Sequence, residues 1–300
     1  MSRETAWTPC GLDITGATSI EEALKKAELD FDVQKKNIYD EYGNAIPEWY
    51  RNVRSDNNSV LGIVSNKYKI VQNRDAFEFV NNLVDEGIEF EKGGVFHCGR
   101  AAWLEAKIPA KYNILGDDVE THLVFKNSHD GLGAVKVAVI PNRIACSNAL
   151  NFAFKSALRT WSVVHSAKID VRLQEAREAL GLATTYMNEL EVNANFLATQ
   201  KMSDEEFMKI IDTIYPLDET ASNRKKNNVL EIKNGLMLCL KADDLANFKG
   251  TKWEKAMALT DWVDHKAAAR QTAGYEEARW ESIIGGHRDV DKIFEAIRVA

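Results

Sequence analysis

Read from its N-terminus, the chain uses two spacings of apolar residues in turn. Up to about residue 165 most of them recur every second position, in short runs parted by Gly, Asn, Asp and Pro; from Ile169 onward they recur three and four apart. The pattern predicts an α+β protein, with an antiparallel sheet and packed helices in the N-terminal half and a mostly helical C-terminal half. It divides the chain into an α+β core domain, 1–165, and a helical domain, 166–300.

Residues 1–17 read as irregular. Ser19-Ile20-Glu21-Glu22 has capping-box spacing, so a short helix runs to about Glu28 and buries Ala23, Leu24 and Ala27. Phe31 to Tyr39 and Ile46 to Val53 read as strands around the turn Asp40–Asn44, and Leu61 to Ser65 as a third. A helix over Asp75 to Glu86 buries Ala76, Phe79, Val80 and Leu83 and stops at Gly87. Ile88 to Glu91 alternates, Gly93-Gly94 reads as a turn, and Val95 to Cys98, Ala101 to Ile108 and Val119 to Phe125 then extend.

Polar residues interrupt this apolar texture most densely between Phe125 and Arg159. Leu123 to Phe125 and Val135 to Ile140 are expected to pair as a hairpin across Asn127-Ser128-His129-Asp130-Gly131, which has the residue types that turns require. Pro141 donates no ladder hydrogen bond and is expected to end the second strand. Asn142 would cap a helix with Ile144, Ala145, Ala149, Phe152 and Ala153 on its apolar face. Arg143, Asn148, Lys155 and Arg159 would project from or near that helix.

In the second half, Leu173, Ala176, Leu180, Ala183, Met187, Leu190, Ala194 and Leu197 recur three and four apart, which gives one long amphipathic helix unless Gly181 kinks it. Ser203-Asp204-Glu205-Glu206 caps the next, which ends at Pro216, and a polar linker follows over Asp218 to Arg224. Lys226 to Ala242, Trp253 to Arg270 and Val290 to Val299 read as further helices, with Gly274-Tyr275 and Gly285-Gly286-His287 as interruptions.

Charge singles out the central stretch. Residues 126–177 hold eight Lys/Arg against three Asp/Glu, a balance of +5 in a chain of net charge −7, which leaves −12 for the remainder. That segregation fits a local anion-binding surface on an acidic protein, or equally the solvated basic face of an amphipathic helix. No run is long and apolar enough to span a bilayer, and the start lacks the apolar core of a secretion signal, so a cytoplasmic location without membrane contact is expected. The four cysteines are scattered without a CxxC pair and read as reduced thiols. Cys146 lies where a helix dipole and Arg143 would favour a thiolate, though a buried structural role is the commoner one.

Phosphate loop, nucleophile elbow, HExxH and dinucleotide fingerprint are all missing from the sequence, which disfavours an ATP-driven motor, a serine hydrolase and a dinucleotide oxidoreductase. The six histidines are far apart, so any metal site has to assemble in three dimensions; none is expected, nor a cofactor. His129-Asp130 is the one poised pair. Its plain reading is a turn in which Asp130 accepts from backbone N–H groups, and its sharper one is a contact to phosphate or base. Rings lie among the cations: Tyr68 beside Lys67, Phe152 and Phe154 before Lys155, Trp161 after Arg159. Most such rings belong to a core, but nucleic-acid grooves need this mixture. The expected nucleic-acid contacts are Lys67, Tyr68, Lys126, His129, Lys136, Arg143, Asn148, Lys155, Arg159 and Trp161.

LGIVSNKYKIVQNRDAFEFVNNLV (61–84), NSHDG (127–131) and IPNRIACSNALNFAF (140–154) resemble the phage/plasmid-like proteins, a family of bacteriophages, plasmids and mobile elements catalogued as a domain of unknown function. AREALGLA (176–183), Gly250-Thr251-Lys252-Trp253 and Asp264-His265 extend the resemblance over essentially the whole chain. Ile140 and Ala149 stand where the family usually has threonines, which puts hydroxyl roles there in doubt. At fold level, a helix, antiparallel strands and a second basic helix are similar to the core order of RecT- and Erf-type single-strand annealing proteins, an analogy that does not carry function by itself.

The resemblance and the basic segment together imply a non-enzymatic, ATP-independent protein that binds and anneals single-stranded DNA in a host bacterial cell, as a homo-oligomer. The alternative expectation is a mobile-element interaction protein that engages a host or phage partner, for instance a defence complex, through its acidic remainder or helical faces. A third, a hydrolase or transferase built on His129, Asp130, Arg143 and Cys146, requires a geometry that sequence cannot establish.

Overall fold

The computed structural model describes residues 10–84, 87–145, 147–154, 158–165, 179–266, 274–286 and 288–300. It is an α+β fold with the sheets in the first half and helices in the second. The large sheet comprises β1 (Leu12–Asp13), β5 (Glu89–Phe96), β6 (Ala101–Ile114), β7 (Asp117–Ser128), β8 (Ala134–Arg143), β9 (Asn148–Ala149) and β10 (Thr160–Val164). Its order is β1-β5-β6-β7-β8-β10, with β9 also on β8, and every pairing is antiparallel. A smaller antiparallel sheet takes β2 (Val33–Tyr39), β3 (Ala45–Arg54) and β4 (Val60–Ser65) in that order.

Alternation along the strands sends side chains to two buried faces. Ala102, Leu104 and Ala106 of β6, Leu123 and Phe125 of β7, and Val137 and Val139 of β8 join the main core. Trp103, Val124, Ala138 and Ile140 point the other way and meet Trp280, Ile283 and Ile284 of a C-terminal helix. Trp103 and Trp280 touch edge to face with ring centres 5.4 Å apart.

The helices are α1 (Ile20–Lys26), α2 (Asn73–Phe77), α3 (Asn81–Val84), α4 (Ala179–Thr199), α5 (Asp204–Ile214), α6 (Asn223–Cys239), α7 (Lys252–Asp261), α8 (Tyr275–Gly285) and α9 (Arg288–Val299). Ser19 and Ser203 cap α1 and α5 as the spacing predicts, the second with a reciprocal capping box. Serine 222 caps α6 three residues earlier than expected. Every residue of α7 is buried, and a π-helical turn, Trp262–Lys266, continues it. The larger of the two clusters draws buried apolar residues from both chain halves, from Ile14 to Ile297. No helix among the described residues is long and apolar enough to cross a membrane.

Three expectations need correction. The helix expected over 75–86 is broken into α2, a 3-10 turn (Glu78–Val80) and α3, where the Asn81 side chain turns aside to accept from the Ile20 N–H at 3.0 Å. Gly93 and Gly94 make no turn but lie inside β5, whereas Gly274 and Gly286 do interrupt the helical structure as expected and bracket α8, both with φ above 80°. The most consequential correction is at 142–154, where no helix follows Asn142 among the described residues. Strand β8 continues through Pro141, opposite Thr121, to Arg143, and Ser147 at φ 56° turns the chain back so that Asn148 and Ala149 pair with Arg143 and Asn142. Tertiary contacts override the capping signal there. Arg143 is held by Asp117 at 2.7 Å and Asp244 at 2.5 Å, and the Ala149 N–H donates to Asp264 at 2.6 Å.

Candidate nucleic-acid interface

The cations singled out in the sequence lie at separate places, mostly engaged with their own chain. Arg143 is almost wholly buried; besides its two carboxylates it donates to the Asp244 carbonyl at 3.0 Å. Asn148 is buried in β9. Lys126 on β7 forms an ion pair with Glu281 of α8 and lies 5.5 Å from the Phe96 ring centre. Arg159 crosses to the C-terminal end of α8, donating to the Ile283 and Ile284 carbonyls at 3.2 and 3.3 Å and so satisfying helix-end acceptors. Lys136 sits directly opposite Lys126; burial pushes its ammonium below the usual lysine range, and Lys126 and Arg159 push it further. Lys126, Lys136 and Arg159 therefore form one group and Arg143 stands apart. Trp161 of β10 is half-buried against the core, and Lys155 lies outside the described residues.

The NSHDG segment is an internal joint. His129 is fully buried, its Nε2 2.9 Å from Asn73 Oδ1, and its carbonyl accepts from Asn52 Nδ2 at 2.7 Å. Asn127 donates to the Val71 carbonyl at 3.0 Å and to Asn73 at 3.1 Å. Asp130 accepts from the N–H groups of Leu132 and Gly133 at 2.8 and 3.0 Å, the turn role that its residue type favours. Burial lowers the imidazole of His129 to about 3 and that of His165 to about 4. Tyr68 stacks on His165 at 5.0 Å and donates its hydroxyl to the Ser128 carbonyl at 3.0 Å. This network fastens the small sheet to the large one. Gly62 passes so close to the Asp130 backbone that a Cβ there would lie 2.3 Å from its carbonyl oxygen.

Fastening leaves the other side of the small sheet open. Its inner face carries Lys35, Tyr50, Asn52 and Val64, with Lys35 donating to the Ser65, Asn66 and Tyr68 carbonyls. Across the outer face Lys36, Arg51 and Ile63 stand in one row, and Trp49 opposite Ser65 in the next. Trp49 is 50% exposed and Ile63 60%, and Arg51 and the nearby Lys67 are exposed too. Lys36 reaches Asn58 at 2.9 Å, and among the described residues no carboxylate pairs with Lys36, Arg51 or Lys67. Exposed Val60, opposite Val53, borders this face near Ile63. Of the sequence-selected residues among those described, only Lys67 is exposed, two positions beyond the end of β4. The signal that could have found the rest is the alternation along β3 of exposed Trp49 and Arg51 with the more buried Tyr50 and Asn52.

A family model described as a domain of unknown function, DUF932, matches residues 60–284, from β4 to the end of α8. No curated protein and no solved structure matches the chain. The match takes in the NSHDG joint, the large sheet from β5 onward and the buried helix α7, while β2 and β3 lie before it. Because it spans about three quarters of the sequence, the chain belongs to the DUF932 family, a domain of unknown function.

Proposed function

We propose that this protein binds single-stranded nucleic acid, without nucleotide hydrolysis or other catalysis, along the outer face of the β2–β3–β4 sheet. The observation that supports this most directly is the row of Lys36 and Arg51 beside exposed Trp49, with Lys67 at the strand end. Unpaired cations can follow phosphates, and a flat ring on an exposed sheet gives a base somewhere to stack. A role in the recombination or strand pairing of a phage or plasmid is the finer part of the reading. It rests on the family resemblance and calls for self-association, since annealing requires two strands held in register.

The test is a labelled thymine oligonucleotide titrated with the full chain at 50 and 200 mM salt. Three phosphate contacts give a slope of roughly −2 in log K against log salt, hence about a 15-fold loss over that range. Trp49→Ala should weaken binding by about 5- to 150-fold, the equivalent of ~1–3 kcal/mol for one stacked base. The double variant Lys36→Glu, Arg51→Glu should abolish binding at 200 mM. Absence of a shift at 50 mM would remove the reading altogether, and binding that survives both variants would remove this face from it. Mixing complementary strands then separates annealing from simple binding.

Exposed Ile63 and Val60 favour a second reading, a protein partner on the same face. It predicts an interaction that resists salt and is lost on Ile63→Asp.

A further inference from the structure

Three neighbouring strands of the large sheet bring two carboxylates and an imidazole together, far apart in sequence. Glu91 lies at the register shift of β5 between Phe90 and Lys92, Glu105 on β6 opposite Lys92 and Val124, and His122 on β7 opposite Lys107. Glu105 and His122 are thus diagonal neighbours on one face, and the β5 bulge turns Glu91 toward them. His122 Nδ1 is 3.0 Å from Glu105 Oε1 and 3.3 Å from Glu91 Oε2, and one ligand atom from each residue lies within 4.8 Å of the other two.

Ligand atoms about 2.1 Å from a common ion are roughly 3.0 Å apart at right angles and roughly 3.4 Å apart in a tetrahedron. The two separations from the imidazole fall in that range. Burial is graded across the trio: Glu105 and His122 side chains are 1% and 5% exposed, whereas Glu91 is 35% exposed. The group is closed on the protein side and open to water at Glu91. Lys107, also on this face, is bonded to Glu120 at 2.6 Å.

We propose that Glu91, Glu105 and His122 form a binding site for a divalent first-row transition ion, with water completing the coordination on the Glu91 side. Two carboxylates and a neutral imidazole carry −2 between them, which a divalent ion cancels; a protonated imidazole would leave the same three groups at −1. A nitrogen ligand beside two oxygens selects Zn²⁺, Mn²⁺ or Fe²⁺ over Mg²⁺ or Ca²⁺, which take oxygen sets. The site lies in the large sheet and does not depend on the nucleic-acid reading of the small one.

The experiment strips the full-length chain with a chelator, then titrates it with Zn²⁺ and Mn²⁺ by calorimetry and with Co²⁺ by visible absorption. One ion per chain is expected, together with a Co²⁺ ligand-field band and a higher melting temperature in Zn²⁺. Glu105→Gln and His122→Ala should weaken binding at least tenfold, while Glu120→Gln on the same face should leave it unchanged. If the buried variants fail to fold, Glu91→Gln at the open side carries the test with the same expected loss. Should the wild type take up no ion at micromolar concentration, or should Glu91→Gln bind as the wild type does, the trio is an internal ion pair and the proposal fails.

Discussion

His129 and His165 are neutral because their surroundings desolvate them, and that makes them titration sensors of the joint between the sheets. In the unfolded chain an imidazole takes its proton near 6.5, whereas in the fold these two resist to about 3 and about 4. Their contribution is therefore fully present above about pH 6.5 and is lost as pH falls toward 4, at up to ~1.4 kcal/mol per pH unit for each group. Buried Asp264 acts in the opposite sense. Burial lifts its carboxyl from 3.8 to about 7, against the pull of the Ala149 N–H and Arg279. Its contribution is present below about pH 3.8 and is lost as pH rises through 7. The wild-type profile mixes the two, so a single variant has to isolate the histidines. His165→Phe keeps a ring against Tyr68 and removes one titration. Urea midpoints between pH 6 and 4.5 should then vary less steeply than in the wild type, and an unaltered slope would assign the acid sensitivity to other groups.

At the scale of elements, the joint depends on two backbones passing almost in contact. Gly62→Ala sets a methyl group against the Asp130 backbone, and strand β4 and the turn at Asp130 each have partners that prevent them from moving apart. A destabilisation of about 1–3 kcal/mol is expected, as for other overpacked sites. Thermal melts will measure it, and a melting point within a degree of wild type would mean that the joint yields. The strands were legible where alternation and turn residues agree, as in the hairpin around Asp40–Asn44 and in β6 to β8, but the glycine pair Gly93-Gly94, which reads as a turn, runs extended inside β5. The caps of α1 and α5 were legible for the same reason, since a hydroxyl and a carboxylate three residues apart act locally. What failed was local signal set against distant partners. Asn142 and the apolar spacing after it favour a helix, but Asp117, Asp244 and Asp264 hold that stretch extended, and none of the three is near it in sequence. Charge counting misled in the same way. A +5 segment says how many cations there are, not that Arg143 and Lys126 have carboxylates waiting on other elements. Glu91, Glu105 and His122 were invisible for want of any spacing rule that spans three strands and a bulge.

For the molecule as a whole, the decisive fact is that the sheet of the first half is covered by helices of the second. Leu104, Leu123, Phe125 and Val137 share one cluster with Met187 and Leu190 of α4 and with Met257 and Leu259 of α7. A fragment ending at residue 165 would expose that face, so it should fail to give a cooperative melt and should bind a hydrophobic dye. A sharp transition from the fragment would show instead that the first half folds alone. Helix α7 is buried on all sides and begins only at Lys252, more than a hundred residues after β8 ends. On a ribosome adding about 5–20 residues each second, the central strands wait roughly 5–20 s before that helix exists to cover them. During that interval the nascent chain presents a greasy, incomplete surface to the cell, and chaperones that capture such surfaces become part of how this protein reaches its final form.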